Sequence, residues 1–179
     1  MMPKAFGLRP FPAAGLPPGI EITGYAARSE EKLSVKYELR GPLTQLLIPA
    51  PADMPARRDK LWEETCFEFF LGPKNSDRYW EFNLSPAGHW NVYRFASYRA
   101  GMQLEQAFTA LPFSAETGPD SLILSVDADL TSLIRSDGAV DAGISAVVRL
   151  IDGTLTYWAL THPGPEPDFH RRDGFIFEL

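Results

Sequence analysis

The chain has little of what several functional classes require. One of its 179 residues is a cysteine, Cys66, so no disulfide can close within it. Lys and Arg number 17 against 23 Asp and Glu, a formal charge of −6, whereas a nucleic-acid surface needs clustered basic side chains. The adjacent basic pairs, Arg57-Arg58 and Arg171-Arg172, sit beside Asp59 and Asp173 and read as loop charge. No stretch approaches the ~18 apolar residues of a membrane helix. The opening MMPKAFGLRPFPAAGLPPG has no apolar run of the secretory type, so a cytoplasmic location is expected, with neither nucleic acid nor membrane as partner. Long stretches of helical periodicity are also missing.

Turns and strands fill their place. Sixteen prolines and fourteen glycines punctuate short alternating runs, and the length suits one domain spanning 1–179, with 1–18 an extended N-terminal arm. Strands are expected at Ile20–Ala27, Leu33–Leu39, Leu43–Ile48, Ser121–Ala128 and Gly174–Leu179, with a shorter one at Leu104–Phe108. Asp129 is placed to N-cap one short helical turn carrying Leu130, Leu133 and Ile134. Asp152-Gly153, between Gly143–Ile151 and Thr154–Leu160, has the chemistry of a tight hairpin turn. The sum is nine or ten strands and one short helix, an all-β, antiparallel β-sandwich.

The centre of the chain is Leu61–Arg94, three strands holding three of the four tryptophans. In Thr65–Leu71, residues Thr65, Phe67, Phe69 and Leu71 share one face, and Cys66, Glu68 and Phe70 the other. In Trp80–Ser85, Trp80, Phe82 and Leu84 oppose Glu81, Asn83 and Ser85. The apolar face reads as core. The second face, carrying Glu68, Glu81 and Asn83, reads either as solvated sheet or as a ligand platform. Arg94 on the third strand and Arg149 on the hairpin would interleave with the carboxylates if the pairing aligns them. Glycoside hydrolysis would need two carboxyls roughly 5–9.5 Å apart, and Glu68 with Glu81 could supply them. Cys66, mid-strand and away from any helix N-terminus, reads as a small buried apolar residue rather than a nucleophile. His162, Asp168 and His170 lie in a proline-rich loop without metal-ligand spacing, and are expected to pin that loop.

These residues carry a family resemblance. LWEETCFEFFLGP, YWEFNLSPAGHWNVYRF, the hairpin ending YWALTHP, the distal PDFH and LLIPAP at Leu46–Pro51 resemble the DOMON-like proteins. Those share a superfamily with the family 9 carbohydrate-binding modules. The resemblance implies a jelly-roll-like sandwich with a concave face, where a sugar lies between aromatic side chains and its hydroxyls meet charged and amide groups. Carried over, Trp62 and Trp158 would stack on the sugar, Glu68, Glu81 and Asn83 would bond its hydroxyls, and Arg94 and Arg149 would hold the carboxylates. The function so implied is non-catalytic binding of a small polar ligand, a saccharide. A protein–protein or homodimerisation patch is the alternative. Some DOMON relatives hold haem between His and Met, but here Met54, Met102 and His89 fall in expected loops and turns, facing solvent. No cofactor is assigned; haem and calcium stay open.

Overall fold

The computed structural model describes residues 2–12, 16, 18–136 and 138–179. Strict alternation drives its longest strands. In Lys32–Arg40, Leu33, Val35, Tyr37 and Leu39 are all buried, while the intervening polar residues are not. Each such side chain fully removed from water contributes about 1.5–3 kcal/mol, so a slip of one residue would forfeit the whole set.

Among the described residues, twelve antiparallel strands result: β1 (Lys4–Pro10), β2 (Glu21–Ser29), β3 (Lys32–Arg40), β4 (Cys66–Pro73), β5 (Tyr79–Leu84), β6 (Trp90–Phe95), β7 (Gln103–Leu104), β8 (Phe113–Thr117), β9 (Ser121–Asp129), β10 (Val140–Arg149), β11 (Leu155–Ala159) and β12 (Phe177–Glu178). They hydrogen-bond in the order β7-β6-β5-β4-β10-β11-β1-β2-β3-β9-β8, with β12 added beside β10. The path turns on β1, whose residues Lys4 to Leu8 pair with β2 while Arg9 and Pro10 pair with β11. Two layers therefore fold over one core. Tyr37 of the first layer packs 5.1 Å from Phe67 of the second, and its hydroxyl donates to the Glu68 carbonyl at 2.7 Å. Phe67, Phe69, Leu71, Trp80, Phe82 and Leu84 all belong to that core, as their alternation predicts. Cys66 is free and fully buried, again as expected.

Several local expectations need correction. Lys4–Pro10 is a core-bearing strand, not an arm: Phe6 and Leu8 point inward. Met1, Ala13, Ala14, Gly15 and Pro17, the other side of that expectation, lie outside the described residues. Leu43–Ile48 is no strand but a 3-10 turn over Leu43–Gln45 and a single bridge from Leu46 to Leu150. Pro42 and Pro49 flank it, and proline offers no N–H to a ladder. After Asp129 the chain makes one turn, Ile134 N–H donating to Leu130 O at 3.0 Å, and no helix follows. Asp129 does accept the Thr131 N–H, at 2.9 Å. Phe113–Thr117 adds an edge strand, and the last strand shrinks to Phe177–Glu178. The hairpin at Asp152-Gly153 forms, with Gly153 at φ +90° and its N–H donating to Leu150 O at 2.9 Å.

Candidate ligand-binding site

The outer face of the second layer is where the polar stripe lies, and it is not open sheet. Glu68, Glu81 and Asn83 are 2%, 4% and 0% exposed, because the C-terminal loop and the turn at Leu61–Glu63 close over them. Phe70, Tyr79, Tyr93, Phe95 and Phe175 make a second apolar cluster there, with Trp62 and Phe169 packed against it. Between these covers remains a cleft of about 360 Å³. Its walls include Trp62, Tyr157, Phe169 and Met102, its floor Glu68 and Glu81, and its rim Glu63, Arg99 and His170.

Register explains the floor. Glu68 lies opposite Asn83 and Ser145, and Glu81 opposite Phe70 and Tyr93, so the two carboxyls are diagonal neighbours on adjacent strands. Asn83 Nδ2 donates to Glu81 Oε1 at 2.9 Å. Glu68 Oε1 and the Ser145 hydroxyl are buried with no hydrogen-bond partner. Burial pushes the Glu68 carboxyl well above its usual range, and the neighbouring Glu81 charge adds to this. Burial likewise raises Glu81 to about 7, against the pull of the Asn83 hydrogen bond and the Arg99 charge. Buried polar groups are normally satisfied, so the unpaired Glu68 oxygen and Ser145 hydroxyl are exceptions on this face.

The rim is held by a chain of bonds. The backbone N–H of Arg99 donates to the Tyr79 hydroxyl at 3.2 Å, and that hydroxyl lies 2.8 Å from His170 Nδ1. His170 Nε2 lies 3.8 Å from Glu81 Oε2, out of hydrogen-bond reach. Burial, then the Arg99 charge, lowers His170 to about 4, so the ring is neutral at pH 7 and makes no ion pair with Glu81. Asp168 accepts the Tyr98 hydroxyl, Arg99 Nη2 at 2.8 Å and the His170 N–H at 3.1 Å. Burial alone would raise Asp168, but these donors hold it below the usual carboxylate range. Arg99 and Lys60 adopt left-handed φ of 50° and 59°, a conformation costly for residues other than glycine. Both lie beside the cleft's covers, a pattern that goes with functional sites.

The predicted site residues divide accordingly. Trp62, Glu68 and Glu81 meet in the cleft, and Asn83 supports Glu81 from beneath. Trp158 does not reach it. It faces the core at 2% exposure, its indole N–H satisfied by Thr156 Oγ1 at 3.0 Å, because alternation sends Tyr157 outward instead. Tyr157 packs on Phe169, rings 6.1 Å apart. Arg94 lies opposite Trp80, on the other face from Glu81, and bonds Gln103. Arg149 is on the right face but beyond the floor, 3.7 Å from Glu64. His89, expected in solvent, is buried and accepts the Ala56 N–H at Nδ1. Met54 and Met102 are exposed, and no group of three metal-ligating side chains occurs among the described residues.

Sequence comparison identifies neither a matching family model nor a matching curated protein. Solved structures are more informative. A Bacteroides uniformis protein provisionally assigned as carbohydrate-binding superposes over 98% of this chain and 85% of its own, with TM-score 0.73 and 16% identity. A family 9 carbohydrate-binding module of Caldicellulosiruptor kristjanssonii, solved with cellotriose, matches over 92% of this chain and 76% of its own, with TM-score 0.55 and 10% identity. The fold is that of the family 9 carbohydrate-binding modules. At these identities the likeness concerns architecture. Within the family 9 fold, this chain's cleft is built from Trp62, Tyr157 and Phe169 above two buried glutamates.

Proposed function

We propose that this protein binds a small saccharide in the cleft over Glu68 and Glu81, without turning it over. The observation that carries the reading is an aromatic-walled cleft whose buried floor leaves the Glu68 oxygen open. A pyranose ring presents apolar C–H faces to aromatics and hydroxyls to carboxyl and amide groups, and the cleft offers both kinds of surface. Its volume is at the small end for ligand sites, fitting a mono- or disaccharide. The shared architecture with a module solved on cellotriose supports it.

Isothermal titration against a panel of monosaccharides and disaccharides tests the reading. We expect saturable binding that Trp62→Ala and Tyr157→Ala each weaken at least about tenfold, with the bound sugar recovered intact by mass spectrometry. Absence of binding across the panel, or sugar returned hydrolysed, would count against it.

A further inference from the structure

Charge in the cleft is lopsided. Glu63, Glu68 and Glu81 line it, and the Arg99 guanidinium at its rim is already engaged by Asp168 at 2.8 Å. The His170 ring is neutral, with Nε2 3.8 Å from Glu81 Oε2. On the floor, Glu68 Oε1 has no hydrogen-bond partner among the described residues, and Glu81 Oε2 stands 3.8 Å from His170 Nε2. A ligand group with several protons to give would serve both floor carboxyls at once. Around them stand aromatic rings, Trp62, Tyr157 and Phe169, whose faces attract cations. The net charge of −6 favours the approach of a cation over that of an anion.

We infer that the cleft selects a saccharide bearing a protonated amine, an amino sugar, with its ammonium group seated between Glu68 and Glu81. The inference rests on the saccharide reading and narrows it. An ammonium group donates three hydrogen bonds, whereas a hydroxyl donates one. It would also favour the ionised form of two carboxyls that burial raises, adding to the pull that Arg99 already exerts on Glu81. The high pKa of both groups is the expected signature of buried acids lacking a cation. Arg99 is held at the rim by Asp168, one N–H donating at 2.8 Å.

The test compares glucosamine, N-acetylglucosamine and glucose by titration calorimetry on the intact protein, at a pH where the free amine is protonated. Acetylation keeps the ring and removes the charge. Glucosamine should bind at least about tenfold more tightly than either neutral sugar, the margin typical of a charge-assisted contact. In Glu81→Gln that preference should shrink to within about twofold, again by loss of the charge-assisted contact. Glu68→Gln is a second variant with the same expectation, and the unliganded melting temperature of each reports whether it folds. Equal or tighter binding of glucose by the native protein would overturn the amino-sugar inference while leaving saccharide binding in place. Binding of none of the three would overturn the inference, and with silence across the wider panel the saccharide reading too. An amine preference that survives in both glutamine variants would remove the floor carboxyls from the recognition.

Discussion

At the scale of single residues, neighbours in sequence have opposite duties. Trp158 lies in the core and Tyr157 in the cleft, one position apart on β11. Trp158→Ala should lower stability by about 3–5 kcal/mol in urea denaturation and leave ligand affinity of the folded fraction nearly unchanged. Tyr157→Ala should do the reverse, moving stability by less than about 1 kcal/mol while weakening binding. The buried ionisable groups set a pH signature. Glu81 titrates at 4.5 ordinarily and at about 7 when folded, so between those values the folded state keeps a proton that the unfolded chain has released. Stability then falls as pH rises, and Glu68, raised for the same reason, acts in the same direction. His170, lowered from 6.5 to about 4, acts oppositely, since the unfolded chain holds the extra proton and stability rises with pH. Between pH 4.5 and 6.5 Glu81 and His170 oppose one another, and the raised Glu68 tips the balance, so stability falls as pH rises. Glu81→Gln should flatten that slope and His170→Asn should steepen it, measured by denaturation across the window.

At the scale of elements, the C-terminal loop makes a cleft out of a sheet face, and Arg172 is one of the side chains that pin it. Arg172 donates to the carbonyls of Gly72 and Pro73, at 2.9 Å each, and lies over the Phe175 ring at 5.0 Å. A Cβ on Gly72 would come within 1.5 Å of that guanidinium. Gly72→Ala should therefore expel Arg172, lowering stability by about 1–3 kcal/mol and weakening ligand binding as Phe169 and His170 lose their support. Chemical denaturation and titration on the same sample check both. This loop also marks where sequence reading ran short. The period of two in Thr65–Leu71 and Trp80–Ser85 identified core and polar faces, because alternation is a local property. The prolines of the 162–173 loop carry no period, and nothing local said that they would fold back over Glu68 and Glu81. The parity of β11 was ambiguous because Tyr157 and Trp158 are both aromatic. Arg94 was misassigned because face depends on the register with Trp80, a pairing that the spacing of one strand does not contain.

At the scale of the whole molecule, the two layers share their core and one strand. Phe6 on β1 packs against Tyr37 of β3, ring centroids 5.6 Å apart, and against Phe177 at 6.3 Å. All four tryptophans lie in the other layer or the turn leading into it. If the core is one cooperative unit, Phe6→Ala should cost about 3–5 kcal/mol and shift the tryptophan fluorescence transition as far as the far-UV circular dichroism transition. Separate midpoints would show that the layers unfold independently.

The position of β1 also has a consequence for how the fold is reached. Arg9 must find Ala159, and Pro10 must find Trp158, across almost the entire chain. Every other ladder in the second layer can zip up among residues 66–178 without it. Closing so long a loop is an entropic burden that slows the search, and chains rich in distant pairings fold in milliseconds to seconds rather than microseconds. A nascent chain emerging from the ribosome would thus carry its opening strand half-matched until residue 159 had been made. Through that interval the end of β1 at Arg9 and Pro10 is a free edge to which a wrong neighbour can pair.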